Sequence, residues 1–141
     1  CDLRFAATGV KFTTAHGKLN LPPEFGLSWL LPRIIGLTRA NDLLLTSRIF
    51  LSEEAEAMGL INRALPPEEL MPHVLDYVKN MIRNVSRHSL KSSKQQIYID
   101  LHRDVSDSLD ESQVLLEQMM QEEDYIKGVK ALQEKRSPDF D

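Results

Sequence analysis

Apolar residues in the second half of the chain recur at three- and four-residue steps. After the Pro66-Pro67 break, Met71, Val74, Leu75, Val78, Met81, Ile82 and Val85 keep this spacing, which places them on one face of an amphipathic helix. Pro72 fits such a helix if it falls within the first turn, where its missing N–H has no partner to lose. Leu90, Lys94, Ile97 and Leu101 make a second stripe, Leu109, Gln113, Leu116 and Met120 a third, and Tyr125, Val129 and Leu132 a fourth. Residues 66–141 are therefore expected to be a layer of helices.

The first half reads differently. Residues 3–7 and 10–12 have the composition of short strands joined by Thr8-Gly9, and residues 60–65 of another. Between them, Thr38 is a candidate N-cap for a helix with Ala40, Leu43, Leu44 and Leu45 on one side. Ser52, with Glu53 and Glu54, opens a shorter helix that Gly59 closes. Three short strands leave a small sheet with open edges. They are expected to complete a sheet whose remainder lies upstream of Cys1.

Residues 11–36, KFTTAHGKLNLPPEFGLSWLLPRIIG, carry the candidate chemistry. Glu24 lies between Pro22-Pro23, which stiffen the chain and remove two donors, and Phe25-Gly26, where it can bend into a helix. Leu27, Trp29, Leu30, Leu31, Ile34 and Ile35 follow at once, so Glu24 is expected at the edge of an apolar pocket. A poorly hydrated carboxylate there becomes a better proton acceptor near neutral pH. The competing reading is a solvated residue in a Pro/Gly turn, and composition alone favours it.

Composition narrows the function classes. At 141 residues, 42% hydrophobic and 27% charged, the chain is of ordinary one-domain globular type. A formal net charge of -4 and no basic face argue against nucleic acid as a partner, and no apolar run is long enough to span a membrane. Cys1 is the single cysteine, which excludes an internal disulfide and fits a reducing, cytoplasmic setting. His16, His73, His88 and His102 show no zinc spacing, so no metal is expected, and GxSxG, P-loop and GxGxxG motifs are missing.

Six segments in order resemble the crotonase superfamily of enoyl-CoA hydratases and isomerases: CDLRFA (1–6), KFTTA (11–15), LPPEFGLSWLLPRIIG (21–36), LLLTSR (43–48), EEAEAMGLINRAL (53–65) and GVKALQEKRSPDF (128–140). The resemblance implies an α/β fold of the crotonase/ClpP-like spiral type. Residues 1–65 would end the spiral core and carry the active-site segment, and residues 66–141 would form a helical region that covers the site and builds a homotrimer or hexamer. In that setting the Met-containing stripes read as subunit packing, with intrachain core as the alternative.

The resemblance also implies an acyl-CoA enzyme of fatty acid β-oxidation type, with the coenzyme A thioester as substrate and no separate cofactor. Pro23-Glu24-Phe25-Gly26, then Trp29 and Leu31-Pro32-Arg33, is similar to the context in which 3,2-enoyl-CoA isomerases hold their acidic catalytic residue. Glu24 would then move a proton from the α to the γ carbon, while two backbone amides stabilise the thioester oxyanion. Phe25 and Trp29 would wall the acyl chain, Phe140 would anchor the tail, and Lys135 is a candidate for phosphate contact on a neighbouring subunit's coenzyme A, with a solvated basic residue at a helix C-terminus as the alternative.

Hydratases of the superfamily carry a glutamate where this chain has His16, which reads as a structural, partly buried histidine. Isomerisation is favoured on that ground, with hydration of a 2-enoyl thioester and a non-catalytic acyl-CoA-binding scaffold as alternatives. The oxyanion donors of the superfamily lie ahead of the position of Cys1, so this chain by itself is expected to be inactive and to need the upstream half of the same protein.

Overall fold

A computed structural model describes residues 1–140, which fall into two compact units, the first Cys1–Leu75 and the second from Asp76 onward. The first holds four short strands. Strand β1 (Phe5–Ala7) runs parallel to β4 (Arg63–Leu65), with Phe5 opposite Arg63 and Ala7 opposite Leu65. Strand β2 (Lys11–Phe12) pairs antiparallel with β3 (Phe50–Leu51). The expected strands are shorter than their apolar runs, and β3 was not expected. Two residues carry no readable alternation, and Phe50-Leu51 became a strand by pairing with β2, far upstream in the chain.

Helices α1 (Leu27–Ile35), α2 (Leu37–Thr46) and α3 (Ser52–Ala57) belong to the same unit, with α1 packed on α2 and α3 packed on β3 and β4. Leu31, Ile35, Ala40, Leu43, Phe50, Ala55, Met58 and Ile61 form the buried cluster. Phe12 stacks on Phe50 with ring centres 5.7 Å apart, so the β2–β3 pair is closed by side chains as well as by its ladder. Glycine 36, not Thr38, caps α2. Its φ of 79° and ψ of 158° suit only a residue without a Cβ, and Thr38 lies inside the first turn.

Helix α4 (Pro67–Asn84) begins five residues before Pro72, so Pro72 lies beyond the first turn, contrary to expectation. The carbonyl of Glu68 has no amide four residues on to accept from, and the helix continues through this interruption.

The second unit contains the C-terminal part of α4 with α5 (Arg87–Asp100), α6 (Val105–Met119) and α7 (Glu123–Gln133). Its local chemistry is regular. Ser86 Oγ accepts the Ser89 amide at 3.1 Å to cap α5, and Asp104 Oδ1 accepts the amides of Ser106 and Asp107 at 3.0 and 3.1 Å to cap α6. Gln96 Nε2 donates to Ser112 Oγ at 3.2 Å between α5 and α6. The expected stripes do not form a buried core here: Ile97, Leu109, Leu116 and Leu132 are exposed, and among the described residues of this unit Ala131 is the buried apolar one.

Candidate functional site

The candidate site is the strap between β2 and α1. Thr13 and Thr14 leave β2, a 3-10 turn spans His16–Leu19, and Pro22-Pro23-Glu24 leads into α1. Four residues of this strap have left-handed backbone: Ala15, Asn20, Phe25 and Gly26, with φ of 54°, 56°, 53° and 73°. Each of the three non-glycine residues costs about 1 kcal/mol or more in that region, and such strain collects where a segment is held by its surroundings.

The strap is anchored at Ser47, the residue that ends α2. Ser47 is 1% exposed and also left-handed, with φ 46°. Its Oγ accepts the Gly17 amide at 3.0 Å, and Thr13 Oγ1 donates to its carbonyl at 3.2 Å while accepting the Ala15 amide at 3.1 Å. Thr14 Oγ1 donates to the Leu43 carbonyl at 3.2 Å. Position 17 tolerates only glycine in this arrangement, since a Cβ there would lie 2.7 Å from Ser47 Oγ.

His16 is 7% exposed, and among the described residues its Nδ1 has no hydrogen-bond partner. Its carbonyl accepts the Leu21 amide at 2.9 Å, which closes the turn. It is buried, as the structural reading expects.

Glu24 does not lie in a dry pocket within this chain. Its side chain is exposed, Phe25 is 97% exposed, and Trp29 is 38% exposed with Arg33 stacked 3.9 Å over its ring. Helical geometry explains this. The face α1 turns inward is Leu27, Leu31 and Ile35, at steps of four, so Trp29 and Leu30 fall off it and Glu24 precedes it.

A cavity of about 210 Å³ does open beside that face, lined by Phe12, Thr13, Thr14, Leu27, Leu31, Leu43, Phe50 and Leu60. Glu24 reaches its rim through the backbone, where its carbonyl accepts the Leu27 amide at 3.0 Å. Phe25 and Trp29 do not line it. Thr13, Thr14 and Ser47 went unnoticed in the sequence; a hydroxyl run after a strand was the available signal.

The tail is placed separately in the second unit. Lys135 is exposed, with φ 52°, just past the end of α7. Phe140 is half-buried, and its ring lies 3.9 Å from where a Gly128 Cβ would be. Among the described residues no three His, Cys, Asp or Glu side chains gather as a metal site requires, and no helix is long and apolar enough to cross a membrane.

With these features in place, comparison with known proteins defines the class. The chain matches the pattern of the Enoyl-CoA hydratase/isomerase family over residues 1–141. It is 32% identical over 140 residues to a probable enoyl-CoA hydratase, echA8, of Mycobacterium leprae, covering 99% of this chain and 54% of that protein. It is 31% identical over 143 residues to the crotonyl-CoA hydratase of Syntrophomonas wolfei, again covering 99% and 54%. The crystal structure of an enoyl-CoA hydratase from Bacillus anthracis superposes with a TM-score of 0.91 at 26% identity, over 98% of this chain and 53% of that one.

The chain belongs to the enoyl-CoA hydratase/isomerase family and has the α/β crotonase fold. It spans about half the length of these relatives.

Proposed function

We propose that the whole protein acts on enoyl-CoA thioesters, with proton transfer at the carbon next to the thioester carbonyl, and that its reaction is hydration of a 2-enoyl-CoA. The observation that carries this is the similarity along 99% of the chain to proteins named as hydratases. It outweighs, for this reading, the preference for isomerisation drawn from His16 standing where hydratases carry a glutamate. Adding water requires the hydroxyl to reach the β carbon and a proton the α carbon, with a water held between two carboxyl groups. Glu24 supplies one, and the second has to come from outside residues 11–36.

One observation keeps isomerisation as a second reading. Glu24 is the single acidic residue of residues 11–36, and His16, which stands at the other hydratase position, is buried at 7% exposure. A single carboxylate can take a proton from the α carbon and return it to the γ carbon. Exposure of Glu24 in this chain is compatible with either, because the groove over it would be built by further residues. The exposed apolar residues Met71, Leu75, Ile82, Ile126 and Leu132 leave surface for the upstream half of the same protein or another copy to cover, and a homotrimer or hexamer remains the assembly that the family resemblance implies.

The test uses the whole protein and two substrates. With 2-enoyl-CoA, hydration removes the absorbance of the conjugated thioester; with 3-enoyl-CoA, isomerisation creates it. Turnover of the first alone supports hydration, and turnover of the second alone supports isomerisation. Binding of both without conversion would leave a non-catalytic acyl-CoA module.

A further inference from the structure

We propose that Ser47 is a positioning residue for Glu24, acting through the strap between them. This rests on Glu24 being the proton-transferring carboxylate. The strap has two fixed ends. At one, Ser47 Oγ takes the Gly17 amide at 3.0 Å, and Thr13 and Thr14 bond the Ser47 and Leu43 carbonyls at 3.2 Å each. At the other, Glu24 joins α1 through the Leu27 amide at 3.0 Å. Between them the chain has little freedom to absorb a shift, because the left-handed Asn20 is held by its amide bond to the His16 carbonyl and Pro22-Pro23 fix their own φ.

Movement at Gly17 is therefore passed to Glu24. Ser47 itself occupies a backbone conformation that glycine adopts more readily, so the serine is disfavoured on backbone grounds and its hydroxyl is the feature that offsets this. That hydroxyl is spent on the strap.

The experiment uses the whole protein with the enoyl-CoA that it converts. Ser47→Gly removes the acceptor while relaxing the backbone, so the melting temperature should hold within a few degrees while kcat falls about tenfold and KM stays within about twofold. Gly17→Ala, whose Cβ would come within 2.7 Å of Ser47 Oγ, should give the same kcat loss from the opposite side. In a Glu24→Gln background, Ser47→Gly should cost nothing further, since the group being positioned is gone.

Unchanged kcat in both single variants overturns the inference, as does a kcat loss that tracks the melting temperature or multiplies with that of Glu24→Gln. Full turnover by Glu24→Gln alone removes the reading beneath it, an outcome distinct from any Ser47 result.

Discussion

The amide of Gly9, in the turn between β1 and β2, donates to Glu53 Oε1 in the first turn of α3 at 2.8 Å. The same stretch is tied a second time by the Ser52 amide, which donates to the Val10 carbonyl at 2.9 Å. Bonds from its own amide first, and from Gly9 second, hold the Glu53 carboxyl below the ordinary glutamate range.

That depression makes part of the stability pH-dependent. Folded Glu53 binds its proton less readily than unfolded Glu53, so its contribution is fully present above the unfolded value of roughly 4.3 and is lost as pH falls through the lower folded value. Glu53→Gln should therefore unfold more easily than the parent at pH 7. The gap should close below about pH 4. Denaturant midpoints measured from pH 7 to pH 3 read this, and a constant gap would refute it.

Arg48 joins the end of α2 to α3. Its guanidinium bonds Glu54, through Nη1 to Oε2 at 3.1 Å and through Nη2 to Oε1, and reaches Asp42 Oδ2 through Nε at 2.8 Å. The Glu54 bond is the main cause holding Arg48 more basic and Glu54 more acidic than usual. Arg48→Lys keeps the charge and loses the fork. A lower melting temperature is expected, partly masked in high salt, because all three side chains are open to water.

Leu43 is fully buried and touches the cavity beside α1. Leu43→Ala removes transfer energy and enlarges that cavity, at an expected cost of about 2–5 kcal/mol. Urea unfolding of the whole protein measures it, and a cost under about 1 kcal/mol would mean that the site collapses onto the smaller side chain.

Pro72 offers a change in the opposite direction. It is exposed, sits at the sixth position of α4, and leaves the Glu68 carbonyl without its helical amide. Pro72→Ala should raise the melting temperature, by an amount bounded by the roughly 3 kcal/mol that separates the two residues in helix interiors. A lower melting temperature would show that Pro72 makes contacts which outweigh the restored bond.

Glu24→Gln is the direct test of the carboxylate. Turnover of the enoyl-CoA substrate should fall by a factor of about a hundred or more while acyl-CoA binding, followed by calorimetry, is nearly unchanged. Loss of binding in parallel would make Glu24 a binding residue.

Much of the architecture was legible because helices announce themselves locally. The stripes from Met71, Leu90, Leu109 and Tyr125 became α4 to α7, and Pro22-Pro23-Glu24-Phe25-Gly26 became the turn before α1. Family membership was readable for the same reason, since its marks are runs of adjacent residues. Other features depend on partners far along the chain. Strand β3 exists through β2, Ser47 is tied to Gly17, and Glu24 is exposed in this chain because α1 turns Leu27, Leu31 and Ile35 inward instead. Spacing along the chain determined which residues could share a face. Only the tertiary structure decided which face met the core, because burial depends on what packs opposite a residue as well as on what precedes it.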